Sequence, residues 1–169
     1  MEPGSNLEIY IQRRLLAASG YSDLGLFQEA VEELESLPAG LEGEEPILVA
    51  WLQLYQGWEK WAEASSVARK LIEIRPENSN WPVALAYATR RIQGMLAARE
   101  ILLDAMSKFP TCAVIHFNLA CYAAQRGLME EANVRLKNAI DLDPQFDALA
   151  KTDPDLEPLR QQKIQGKSI

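Results

Sequence analysis

Two stretches, SNWPVALAYATRRIQGMLAAREILLDAMSKFP (Ser79–Pro110) and AVIHFNLACYAAQRGLMEEANVRLKNAIDLDP (Ala113–Pro144), carry one pattern written twice. Each reads as a helix, a tight turn, a second helix and a proline-marked exit. At an offset of 34 residues, Leu85 falls on Leu119, Ala86 on Ala120, Met95 on Met129 and Ala98 on Ala132. Leu102 falls on Leu136, Ala105 on Ala139 and Pro110 on Pro144. A helical hairpin of this length cannot bury its apolar face alone, so it must stack on copies of itself.

The same step carried back along the chain tests the repeat. From Ala132 it meets Ala98, Ala64 and Ala30; from Met129 it meets Met95, Trp61 and Phe27. The exit proline recurs at Pro110 and Pro76 and gives way to Glu42 in the first copy. A small residue in every copy is what close approach of two helices needs, and a large apolar residue three places earlier seals the turn. Four hairpins are predicted, with repeats at about 11–44, 45–78, 79–112 and 113–146 and a capping segment at 146–162. Together they form one domain over 1–162, followed by a flexible tail at 163–169.

In chain order, residues 1–5 read as frayed and the first helix begins near Asn6, a plausible N-cap. Helices are expected over about 6–21, 27–37, 47–56, 59–75, 81–93, 96–108, 113–125 and 129–142. The acidic, glycine-containing link PAGLEGEEP (Pro38–Pro46) reads as an irregular loop, with a bent helix extension as the competing reading. Pro46 suits the first turn of a helix, where its missing N–H costs nothing. Beyond Pro144, Phe146 and Leu149 are expected to pack over the last hairpin. Pro154 and Pro158 forbid one long helix there, and Leu156 and Leu159 are placed to pin the segment down.

The bulk numbers narrow the function. The 169 residues are 48% hydrophobic with a formal net charge of −7, a balance that argues against a phosphate-backbone partner. The two cysteines, Cys112 and Cys121, form no CxxC pair, and with a single histidine no structural zinc site is expected. Reduced thiols suit the cytoplasm. The N-terminus shows no signal-peptide pattern, and no stretch reaches the roughly 18 apolar residues of a membrane span.

Catalysis needs convergent polar groups, and nothing here marks them. His116 lies four residues after Cys112, but no third group orients the pair, and phosphate-loop, HExxH and calcium-loop spacings are absent. No enzyme, cofactor or metal is therefore expected. Trp51 and Trp61 fall on core places, Trp81 is placed to pack on the preceding helix, and Trp58 in a turn is the tryptophan offered to an interface.

The period and these residues resemble the tetratricopeptide repeat family. The last copy carries its pattern in His116, Leu119, Ala120, Ala123, Ala132, Leu136, Ala139 and Pro144; the first is weakest, with Glu42 where proline belongs. The resemblance covers about residues 11–144 and implies an all-α fold, a right-handed superhelix (α-solenoid) of about four antiparallel helical hairpins with a short C-terminal cap. The closing DPDLEPLR is similar to the end of some small bacterial members.

In that family the first helix of each hairpin lines a concave groove. Carried over, the groove floor is Leu15, Val49, Val83 and Phe117. Its rim is Gln53, Tyr87 and Cys121, then Gln56 and Arg90, with Asn80, Arg91 and Gln125 extending it. Such a surface takes a protein or peptide with apolar anchors, and Arg90 and Arg91 are placed to hold an acidic group. The family's chaperone-tail clamp, which uses a basic residue where Leu15, Val49, Val83 and Phe117 stand, is not expected. The leading expectation is a protein–protein interaction scaffold or co-chaperone-like module. The alternative is self-association as a homodimer, through Ile9, Ile11 and Leu15. Neither a nucleic acid nor a membrane is an expected partner.

Overall fold

Alanine, leucine and glutamate at helical spacing make helix the favoured backbone state for most of the chain. The computed structural model describes residues 3–165, with side chains described for 6–162, and no strand occurs among the described residues. Its helices are α1 (Pro3–Asp23), α2 (Phe27–Glu35), α3 (Glu45–Gly57), α4 (Trp61–Ile74) and α5 (Asn80–Gln93). They continue as α6 (Met95–Lys108), α7 (Ala113–Gln125), α8 (Met129–Leu142), α9 (Gln145–Thr152) and α10 (Glu157–Gln165), with a 3-10 turn at Pro154–Leu156.

The inner boundaries fall within two residues of expectation, and the two ends of the chain differ more. α1 already begins at Pro3, which fits the first turn of a helix, so residues 3–5 are helical; residues 1–2 lie outside the described residues. At the other end α10 runs to Gln165, so the expected flexible tail is helix over 163–165, and 166–169 lie outside the described residues. The 37–44 link is irregular, and Pro46 sits in the first turn of α3.

The helices gather into two compact units, Met1–Ile92 and Gln93–Ile169. In the first, α1 packs on α2 and α3, and α3 on α4. Ala18, Ala30, Leu34 and Leu54 form a buried cluster, with Leu15, Tyr21, Phe27, Trp51 and Trp58 against it. Arg14 donates to Glu33 at 2.7 Å, tying α1 to α2. In the second unit α7 packs on α6 and α8. Arg99 of α6 donates to both carboxylate oxygens of Glu131 on α8, at 2.9 and 3.2 Å.

The 34-residue step is visible in burial and in hydrogen bonds. Ala30, Ala64, Ala98 and Ala132 all have 0% exposure. Three of the turns close in the same way, by a backbone N–H reaching five residues back: Leu26 to Tyr21, Lys60 to Tyr55 and Leu128 to Ala123, at 2.8–2.9 Å. The residue before each donor is left-handed: Gly25 at φ 74°, Glu59 at φ 57° and Gly127 at φ 76°. Glycine adopts this backbone freely, whereas Glu59 carries a Cβ against it. In the third copy the left-handed residue arrives one place later, at Gly94 with φ 88°, because α5 continues through Gln93. The exits match as well. Arg75, Phe109 and Asp143 each donate a backbone N–H at 2.9 Å to the residue four back, and each precedes a proline that stops the helix.

The C-terminal segment folds back on the second unit. α9, the 3-10 turn and α10 cover α7 and α8. Phe146 lies over Phe117 with ring centroids 4.8 Å apart. Leu156 and Leu159 are buried, as their spacing implied, whereas Leu149 is exposed and takes no part in pinning the segment. Arg160 is the clasp: its Nη1 donates to the carbonyls of Ala150 at 2.7 Å and Asp153 at 2.8 Å. Its guanidinium, and then the Gln161 amide, hold the Glu157 carboxyl below its ordinary value. A lowered carboxyl contributes stability that is full above its ordinary value and is lost as pH falls from there through the lowered one.

Glu59→Gly is expected to stabilise the chain. Relief of the left-handed strain, roughly 1–2 kcal/mol, exceeds the roughly 0.5–1 kcal/mol that glycine loses through its greater freedom when unfolded. Urea denaturation should show a higher midpoint; an equal or lower one means that the turn is relaxed. The cap makes a second expectation. Phe117, Cys121 and Gln125 lie four residues apart on one face of α7, and Phe146 and Asp155 meet the two ends of that row. Phe146→Ala should weaken the cap by roughly 3 kcal/mol. Labelling of the buried Cys121 by a thiol reagent should then rise on the order of 100-fold, with the rate at the half-buried Cys112 unchanged; an unchanged rate at Cys121 means that the cap does not cover it.

Candidate partner-binding surface

An amphipathic first helix must turn its apolar face to its hairpin partner and leave the adjacent face to whatever approaches. In the first unit that adjacent face forms a depression of about 340 Å³ between α1 and α3. Leu15, Ala18, Ala50 and Leu54 make an apolar floor, and Ser19, Ser22, Asp23 and Gln53 make a polar rim. Leu15 also packs on the core cluster, so it serves both structure and surface. Gly57 completes the lining, and a Cβ there would lie 3.4 Å from the Ser22 hydroxyl.

The remaining expected residues of this unit divide by exposure. Gln53, Asn80, Tyr87 and Arg91 are exposed, while Val49, Gln56, Val83 and Arg90 are half-buried. Two of the exposed residues form a second feature with Trp61. Arg91 Nη2 donates to the Tyr87 hydroxyl at 3.1 Å, and its guanidinium carbon lies 5.1 Å from the Tyr87 ring centre and 5.4 Å from that of Trp61. The Trp61 and Tyr87 rings meet edge to face at 5.5 Å.

The last copy is different. Phe117 and Cys121, expected at the floor and rim of a groove, are 7% and 3% exposed. The chain's own cap takes that face of α7, since Phe146 covers Phe117 and Gln125 donates through Nε2 to the Asp155 carbonyl at 2.9 Å. Neither side chain is open to a partner in this state, and Gln125, although exposed, is engaged by the cap.

Two tryptophans depart from expectation. Trp58 does not stand free in its turn: it stacks on Phe27 at 5.4 Å, Lys60 Nζ lies 3.6 Å from its ring centre, and it packs on the core cluster. Trp61, assigned to the core by its register with Phe27, Met95 and Met129, is half-buried and reaches Tyr87. The signal was present in its size. Indole is the largest side chain in that row, and it spans from α4 to Tyr87 of α5.

His116 is buried, with Nε2 2.8 Å from the Pro110 carbonyl, so it joins the start of α7 to the preceding exit. No group of three or more His, Cys, Asp or Glu with metal-holding geometry occurs among the described residues. No helix among them is long and apolar enough to cross a membrane.

No family model matches the chain. Over 150 residues, 86% of its length, it is 25% identical to lipopolysaccharide assembly protein B of Haemophilus influenzae, and it spans 38% of that relative's length. Solved structures of MamA superpose with a TM-score of 0.68 at 15% identity, over 96% of this chain and 88% of that one, and with 0.62 at 17% identity, over 80% and 79%. PilW, described as a widely conserved type IV pilus biogenesis factor, superposes with 0.63 at 15% identity, over 89% and 76%. With the 34-residue step in burial and turn geometry, this shared architecture gives the chain an all-helical repeat fold of the tetratricopeptide type.

Proposed function

We propose that the chain is a non-enzymatic scaffold for protein–protein interaction, holding a segment of a partner in the depression between α1 and α3. The observation that carries this reading is the composition of that depression: an apolar floor of Leu15, Ala18 and Ala50 beneath a hydroxyl and amide rim of Ser19, Ser22 and Gln53. An apolar floor contributes affinity by releasing water, and the rim satisfies the partner's backbone polar groups. Val49 and Val83 extend the same apolar character, and Gln56, Asn80 and Arg90 extend the rim. Placement in the cytoplasm belongs to the same reading, on the ground that the sequence holds only two dispersed cysteines. The similarity to lipopolysaccharide assembly protein B, over a fraction of that protein, makes an assembly scaffold the more specific form of the proposal.

A photo-crosslinking amino acid placed in turn at Ser19, Gln53 and, as an outer control, Lys137 tests the site in the native cell. The expected result is a discrete adduct from Ser19 and Gln53, none from Lys137, and loss of the adducts when Leu15→Glu is added. Equal adducts from all three positions would overturn the assignment.

Self-association is the second reading, and one feature favours it. Leu7, Ile11, Leu41, Pro46 and Ile47 line an apolar depression of about 290 Å³ at the start of α1, with Leu7 and Ile9 exposed beside it. Sedimentation of the full chain decides this point. A homodimer that Ile9→Glu, Ile11→Glu dissociates supports self-association, and a monomer at all concentrations removes it.

A further inference from the structure

The cluster formed by Trp61, Tyr87 and Arg91 differs from the ion-paired arginines of the chain. Arg14, Arg75, Arg99, Arg135 and Arg160 each lie within ion-pair distance of a glutamate. Arg91 has no carboxylate within that distance among the described residues; its contacts are a hydroxyl and two aromatic rings. Nor does it cap its helix. Arg91 lies in the last turn of α5, where a cation complements the terminal carbonyls. Its side chain runs the other way, back one turn to Tyr87.

This arrangement fixes the guanidinium without neutralising it. The rings hold its plane, and the Tyr87 hydroxyl accepts one of its five N–H donors, leaving four unused within the cluster. Tyr87 is 44% exposed, so the assembly faces outward. A planar fork already held in place loses less freedom on binding than a free side chain, and it suits a carboxylate geometrically. The aromatic edges beside it suit an apolar neighbour of that carboxylate.

We infer that Trp61, Tyr87 and Arg91 form a recognition site for a carboxylate of a partner polypeptide, an aspartate or glutamate side chain flanked by an apolar residue. This deepens the scaffold reading by assigning the chemistry of one partner group. It rests on residues that do not line the depression between α1 and α3, so the two readings fail separately.

The test uses the full chain with 15N-labelled arginine and indole side chains, observed by NMR. The probes are acetyl-Leu-Glu-Leu-amide, acetyl-Leu-Gln-Leu-amide and acetyl-Leu-Gln-Leu with a free C-terminal carboxylate. The glutamate probe should shift the Arg91 Nε–H and Trp61 indole resonances saturably, and the amidated glutamine probe should bind at least about tenfold more weakly. Binding of the third probe as tightly as the first assigns the site to carboxylates in general. Binding of the third alone moves the source to a chain terminus and overturns the side-chain assignment. Arg91→Gln should abolish the indole shift, Arg91→Lys should weaken it, and Arg13→Gln should leave it unchanged, with helical circular dichroism retained in all three. Equal shifts from the two amidated probes, or an unchanged indole shift in Arg91→Gln, would overturn the inference. Gln53→Ala serves as the reporter for the other depression and should leave these shifts unaltered.

Discussion

Paired helices come as near as a methyl group permits at Ala30, Ala64 and Ala132, and the other regularities follow from that approach. Each alanine is wholly buried on the second helix of its pair. A longer side chain there would push the helices apart, and close-packed interiors do not absorb such volume cheaply. Close approach fixes where the first helix must end and the second begin, so the turns between them have little room to vary. It also sets the height at which the bulky residue three places earlier sits. In the second pair that residue is Trp61, and its length carries it past its own hairpin to Tyr87.

Much of this was legible from the residues because period, helix-breaking and small-residue signals agreed with one another. The alanine row, the exit prolines and the irregular 37–44 link all appear where spacing placed them. The third turn falls where helix was expected to run through Gln93, and Gly94 stands one place beyond the register of Gly25, Glu59 and Gly127. α10 was missed because Pro154 and Pro158 read as interruptions. Both prolines in fact sit at helix beginnings, where their missing N–H removes nothing.

The surface was less legible than the fold, for a physical reason. Periodicity tells which face of a helix is apolar, but not which other segment claims that face. Leu15 and Phe117 occupy equivalent places in the repeat, yet the first borders an open depression and the second lies beneath Phe146. The chain thus satisfies one copy of its own surface with its C-terminal segment and leaves another available. Arg160 ties the covered end together, because its guanidinium donates to the Ala150 carbonyl of α9 and to the Asp153 carbonyl beyond it.

The three matching turns close through main-chain donors and acceptors, and the helices that follow them, α2, α4 and α8, begin without a side-chain cap. The geometry therefore asks little of the side chains there beyond one residue that tolerates a left-handed backbone. Leu24, Trp58 and Arg126 stand in the same place in the first, second and fourth copies with no chemistry in common. Charge and aliphatic character can be exchanged along this edge at the exposed Leu24 and Arg126 while the hairpins keep their shape, whereas Trp58 is also held by Phe27. One scaffold can in this way acquire new specificities at its rim without renegotiating its interior.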